Sequence, residues 1–146
     1  MILIDANLLL YAYDRASPVH EPARRWLTEA FSGAQPLGFS WPTVMAFLRI
    51  ATNPKIFRDP YSIAEAVSIV DDWFSQPGAR LVYAGEHHWT ILRRLLLDTG
   101  SKGPLVMDAH VAALASEHWM MIATRDKDFA IFRGVRLVNP LAVNQE

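Results

Sequence analysis

There is no cysteine in the sequence, so disulfides and thiolate metal sites are excluded, which fits a reducing compartment. An excess of charge of one sign is missing too: 14 Lys and Arg stand against 15 Asp and Glu, a formal net charge of −1. That excludes a globally basic nucleic-acid-binding surface, so any nucleic-acid partner must be held by a local patch or through a basic partner protein. Candidate cations are Arg15, Arg24, Arg25, Arg49, Lys55, Arg58, Lys102, Arg125 and Lys127, each of which alone reads as a solvated helix face. No apolar run is long enough to span a bilayer, and no basic region leads a signal-length apolar stretch at the N-terminus. A cytoplasmic protein with no membrane partner is the expectation. The loop from Thr99 to Pro104 is rich in glycine but lacks the Gly-x4-Gly-Lys-Ser/Thr phosphate-binding pattern. No Gly-x-Ser-x-Gly elbow offers a serine nucleophile. His87 and His88 are adjacent, diverge on a helix and make a poor metal pair.

What is present is enough for one compact domain, residues 1–146, with a core of its own. The organising stretch is Leu105 to His118, Ala-rich and free of Gly and Pro, which predicts a closely packed helix with Asp108 in its first turn. Met1-Ile2-Leu3-Ile4 is an apolar run without alternation that ends at Asp5, as expected of a central parallel strand covered on both faces. Met120 to Thr124 is a second such run, followed by Arg125-Asp126-Lys127-Asp128-Phe129. Further strands are expected at Leu37–Ser40, Leu81–Tyr83 and Arg136–Val138. Helices are expected over Ala6–Ala12, from Ser17-Pro18 through Phe31 with Ser17 as N-cap, and from Trp41-Pro42 through Ile50. Two more run from Ser62 through Phe74 and over Glu86–Leu97, the latter with Trp89, Leu92 and Leu96 inward. His20 reads as structural or exposed, and the tail from Pro140 to Glu146 as loosely held. Alternating strands and helices predict an α/β fold around a parallel sheet of four to five strands, with helices on both faces.

Three carboxylates, Asp5, Asp108 and Asp126, thus end or directly follow buried-looking elements, and in open α/β sheets ligand sites form at the carboxyl ends of the strands. Gathered carboxylates repel one another unless they share a cation. An all-oxygen set suits Mg2+ or Mn2+, which could orient a phosphodiester, lower the pKa of an attacking water and stabilise the leaving oxygen.

Four stretches in order, Ile4-Asp5-Ala6-Asn7-Leu8-Leu9, Asp108-Ala109-His110-Val111-Ala112-Ala113-Leu114-Ala115, Thr124-Arg125-Asp126-Lys127-Asp128-Phe129 and Val138-Asn139-Pro140, carry a family likeness. In them the chain resembles PIN-domain ribonucleases, and within these the VapC-type toxins of bacterial toxin–antitoxin pairs. The resemblance spans essentially the whole chain. It implies a three-layer α/β/α domain and a Mg2+-dependent endoribonuclease acting on structured RNA such as tRNA or ribosomal RNA. It also implies a homodimer silenced by a small antitoxin protein. Carried over by position, Asp5 and Asp108 are the principal metal ligands and catalytic acids, and Asp126 completes the cluster. Asn7, Thr124 and Arg125 would support the ligands or touch substrate. Asp128 would do the same, or serve only as a turn residue or N-cap before Phe129.

One position departs from the pattern. The family often carries Glu on the helix after the second strand, where this chain has Ala46, and no acid lies between Glu29 and Asp59. The missing charge weakens metal binding and speaks against a two-metal mechanism. It also supports a rival reading, a catalytically weak RNA-binding or assembly module. Three retained acids oppose that rival, because clustered carboxylates cost stability when no metal is present. A further alternative, an aspartyl phosphotransferase with Asp5 as nucleophile, would want a second acid two positions on, where this chain has Asn7.

Overall fold

The computed structural model describes residues 1–142. Five short strands form one all-parallel sheet: β1 (Ile2–Ile4), β2 (Leu37–Phe39), β3 (Ala79–Leu81), β4 (Met121–Ala123) and β5 (Arg136–Val138), in the order β3-β2-β1-β4-β5. Six α-helices cover it: α1 (Ala6–Tyr13), α2 (His20–Ser32), α3 (Trp41–Ala51), α4 (Ile63–Ser75), α5 (His88–Thr99) and α6 (Leu105–Glu117). A 3-10 helix over Lys127–Ile131 joins β4 to β5.

The apolar run of β1 is explained by burial on both faces. Leu3 and Ile4 are both fully buried, but in different cores. Ile4 joins Leu8, Leu27, Phe47 and Trp73 under α1–α4, whereas Leu3 joins Leu95, Leu114 and Phe129 under α5, α6 and the 3-10 helix. Ala123 and Ile122 divide in the same way on β4. Successive side chains of a strand point to opposite faces, so a strand sandwiched between helix layers must be apolar throughout. The expected three-layer α/β/α architecture and parallel sheet are therefore present, with five strands.

Local chemistry sets the helix starts. Ser40 caps α3, accepting from the Thr43 amide at 3.3 Å, and Pro42 sits in its first turn. Ser62 and Glu65 form a reciprocal capping box on α4. In α6, Ala109, Ala112, Ala113 and Ala115 are wholly buried, so the small side chains that make the stretch a helix former also let α5 and the sheet approach closely.

Three expectations are corrected. The helix expected at Ser17-Pro18 begins at His20: the Ser17 hydroxyl accepts from the Val19 amide and its carbonyl from the His20 amide, closing a turn before the helix. The strand expected over Leu81–Tyr83 lies two residues earlier, where Leu37, Gly38 and Phe39 pair with Ala79, Arg80 and Leu81. In α5, Trp89 points outward at 64% exposure, and His88 and Leu95 are the buried residues. His20 is structural, its Nδ1 lying 3.0 Å from the Tyr11 carbonyl oxygen. The expectation of a loose tail extends over residues 143–146, which lie outside the described residues.

Candidate active site

Strand order alone creates a crevice. From β1 the chain proceeds to β2 on one side, while β4 and β5 lie on the other, so the adjacent carboxyl ends of β1 and β4 form the switch point where α/β sheets bind ligands. Asp5 is the first residue after β1 and Thr124 the first after β4.

A hydrogen-bond chain ties these ends together. The Asp5 amide donates to the Ala123 carbonyl at 3.0 Å. The Thr124 hydroxyl donates to Asp5 Oδ2 at 2.8 Å and accepts from the Asp126 amide at 2.9 Å. Asp126 Oδ1 in turn accepts from the Asp128 amide at 2.9 Å and so caps the 3-10 helix. One hydroxyl thereby positions a carboxylate on β1 and the backbone of a second acid after β4. Asp5 and Thr124 are buried.

Asp108 arrives from a different direction. The loop after α5 turns at Gly100, whose φ of +62° suits glycine, and delivers α6 with Asp108 in its first turn. Asp5 and Asp108 line one cleft of about 350 Å3 between α3 and α6. Thr43, Ala46 and Arg49 line it from α3, and Met45 and Met107 add apolar surface. Ala46, where the resemblance leads one to expect Glu, lines the same cleft as Asp5 and Asp108.

The acids feel one another. Burial raises the Asp5 pKa above the usual carboxylate range, and the charge of Asp126 adds to this, while the Thr124 hydroxyl and the amides of Ala6 and Asn7 oppose it. Asp108 is pushed up to about 6, first by burial and then by Asp5, Asp126 and Asp128. Four carboxylates thus share one electrostatic field. Among the described residues, no three carboxylates or imidazoles converge tightly enough to enclose a metal ion. A hard, well-hydrated cation needs less: it is held by one or two carboxylates and keeps several waters. The Asp5 and Asp108 oxygens in an open cleft fit that kind of ion, and a cation there would offset the burial and the like-charge repulsion that raise the two pKa values.

The remaining candidates are less central. Asn7 is half-buried in the first turn of α1. Arg125 is exposed and lies over the Tyr11 ring, 5.7 Å from its centroid, and not in the cleft wall. Asp128 is exposed inside the 3-10 helix, and the capping role falls to Asp126. Arg49 appears in the sequence only as one cation among nine candidates; the three-residue spacing of Thr43, Ala46 and Arg49 was the available signal that they share a helix face.

Comparison with known proteins identifies the family and the fold. The PIN domain family model matches residues 2–135. Ribonuclease VapC37 of Mycobacterium tuberculosis is 44% identical over 143 residues, covering 98% of this chain and 99% of that protein. Ribonuclease VapC33 of the same species is 36% identical over 141 residues, 97% of this chain and 99% of the relative. Among solved structures, VapBC2 from Rickettsia felis, bound to a DNA fragment from its promoter, gives a TM-score of 0.70 at 14% identity, over 95% of this chain and 98% of that one. VapC20 of M. tuberculosis, described as a Sarcin-Ricin loop cleaving toxin, gives 0.67 at 16% identity, over 93% and 99%. At these identities the two structures share the fold.

Proposed function

The chain belongs to the PIN-domain family, and on that premise we propose that it is a divalent-metal-dependent endoribonuclease, the toxin of a type II toxin–antitoxin pair. The observation that carries the reading is the meeting of Asp5 and Asp108 in one cleft at the sheet's switch point, in a chain aligned end to end with ribonuclease relatives. Its substrate is structured RNA, tRNA or ribosomal RNA.

Asp5 and Asp108 would hold Mg2+ or Mn2+, with Asp126 beside them. Bound there, the ion would acidify a water for attack on the phosphodiester and offset charge on the leaving oxygen. The chain's own part is orientation. Thr124 occupies Asp5 Oδ2 and so fixes the carboxylate's rotation. The first turn of α6 fixes Asp108, and the 3-10 cap holds Asp126 in place. Burial of Asp5 keeps its field strong, because few water molecules screen it.

The same acid cluster gives an antitoxin its target: a small partner that presents a cationic side chain to the cleft would neutralise the acids and exclude RNA. A homodimer is part of this reading. Solved relatives include VapBC and FitAB assemblies, which supports an antitoxin partner. Among the described residues no helix is long and apolar enough to cross a membrane.

Ala46 favours a second reading, an RNA-binding or assembly module of the same family with weak or no catalysis, since the cleft lacks one carboxylate. The aspartyl phosphotransferase alternative gains no support from the family. The test is incubation of total bacterial RNA with purified, antitoxin-free protein in Mg2+ or Mn2+ against excess chelator. Metal-dependent cleavage at discrete sites, mapped as new 5′ ends, is expected. RNA binding without cleavage in either metal would select the module reading instead.

A further inference from the structure

We infer that Arg49 is a phosphate-binding residue of this cleft, gripping the RNA backbone beside the acids, and that Ala46 is what leaves its guanidinium free to do so. The inference rests on the ribonuclease reading above and adds to it the residue that holds the anion.

The orientation of α3 is fixed next to the acids. Thr43 is buried, and its hydroxyl donates to the carbonyl of Ile4, the residue before Asp5, at 3.4 Å. Ser40 Oγ donates to Thr43 Oγ1 at 3.1 Å and pins it further. Residues three apart on a helix share a face, so Ala46 and Arg49 follow Thr43 along the cleft, and all three line it. At 1.5 Å per residue, Arg49 lies about 9 Å along α3 from Thr43. The cleft therefore has carboxylates at one end and an exposed guanidinium further out on the same wall.

An RNA backbone entering such a cleft meets repulsion from Asp5 and Asp108, and the net charge of −1 supplies no general attraction. A local cation has to hold the phosphate, and a planar guanidinium does this through paired N–H donors. Arg49 is available: among the described residues it forms no ion pair with a carboxylate. Arg125, a cation just beyond β4, is placed over Tyr11 and does not line the cleft. A carboxylate at position 46 would lie one turn before Arg49, at the spacing where acid and base pair on a helix. Alanine there removes a potential metal ligand and, by the same change, a potential partner for Arg49.

The experiment measures anisotropy of a fluorescein-labelled single-stranded RNA with Asp5→Asn protein in Mg2+ across a salt series, with Arg49 intact, Arg49→Ala or Arg49→Lys. Steady-state cleavage by otherwise wild-type protein carrying the same changes runs alongside. Arg49→Ala should weaken binding about ten- to a hundredfold and reduce the log–log salt slope by about 0.7, the amount that one neutralised phosphate contributes on a single strand. Arg49→Lys should fall between, because it keeps the charge and loses the fork. In cleavage, KM should rise more than kcat falls. The effect of Arg49→Ala should shrink in an Ala46→Glu background, where the introduced carboxylate already occupies the guanidinium. Equal affinity and salt slope with and without Arg49, in protein that still cleaves RNA, would overturn the role of Arg49 and leave the ribonuclease reading standing. Absence of both cleavage and binding with Arg49 intact would overturn both.

Discussion

Thr124 and Asp5 are 119 positions apart in sequence and 2.8 Å apart in space, hydroxyl to carboxylate. The bond exists because β1 and β4 are neighbours in register, with Ile4 opposite Ala123, so the first residue beyond each strand faces the other. It joins the two halves of the sheet at the one point where ligand chemistry is expected. It also opposes the pKa rise that burial, and then the charge of Asp126, impose on Asp5.

Thr124→Val keeps the shape of the side chain and removes this link. The Asp126 amide loses its acceptor and Asp5 loses a donor in a buried setting. A cost of about 1–3 kcal/mol in stability is expected, together with lower activity at saturating metal, because Asp5 is free to rotate. Chemical denaturation and cleavage kinetics on Thr124→Val and Thr124→Ser check this. The serine variant should recover most of both, and equal losses in the two would show that the methyl group, not the hydroxyl, matters.

Asp5→Asn and Asp108→Asn should each abolish RNA cleavage and host toxicity while the protein stays folded. Without metal the two variants should be more stable than wild type, since each removes a carboxylate that its surroundings disfavour. For Asp108 the folded-state pKa of about 6 lies above the ordinary value of 3.8, so its ionised form strains the fold above about pH 6 and the strain fades as pH falls toward 3.8. The stability gain of Asp108→Asn should therefore be largest at neutral pH and shrink in acid. Residual metal-dependent cleavage by Asp5→Asn would remove Asp5 from the mechanism.

The architecture was legible because β1, β2 and β4 are apolar runs bounded by an acid or a turn and most helices show an apolar period or a capping signal, whereas β3 carries Arg80 and β5 begins at Arg136. Errors arose where a local signal was genuine but served something else. Ser17-Pro18 has the form of a helix start, yet the Ser17 hydroxyl closes a turn with Val19 and the helix waits until His20. Trp89 has the hydrophobicity of a core residue, but α5 is rotated so that Leu95 faces the sheet. At the site, acids following apolar runs were readable one by one. The facing of α3 was not, since it depends on Thr43 reaching the Ile4 carbonyl, a bond between residues 39 positions apart. For the same reason Arg49 could not be singled out among the other cations.

Mn2+ should raise the melting temperature of the wild-type protein. Binding to the folded state alone stabilises by about 2.7 kcal/mol at a hundredfold excess over Kd. Asp5→Asn and Asp108→Asn should lose most of this rise. Ala46→Glu should enlarge it, because Ala46 lines the same cleft as both acids. Scanning fluorimetry against Mn2+ concentration measures all four proteins, and an unchanged melting temperature in wild type up to millimolar ion would count against a metal site here.

Between α5 and α6 a second titrating group is built into the fold. His88 Nε2 lies 3.0 Å from His110 Nδ1, and the rings meet edge to face. His88 Nδ1 is buried without a hydrogen-bond partner, 4.0 Å from Glu117 Oε1, and His118 Nε2 lies 3.8 Å from the same oxygen. Burial lowers the His88 pKa, with Glu117 opposing and His118 adding, and burial likewise lowers that of His110. The folded state thus prefers both rings neutral. Their contribution to stability is complete above the ordinary histidine value of 6.5 and is lost as pH falls through and below it, because the unfolded chain then binds the extra protons. A metal-free thermal melt should accordingly drop as pH is lowered from about 7 to 5. His88→Gln, which cannot take up a proton, should flatten this acid limb. It should cost stability at neutral pH, where the bond to His110 is weakened. Parallel melting curves for wild type and His88→Gln over this range would show that the pair does not titrate as its burial requires.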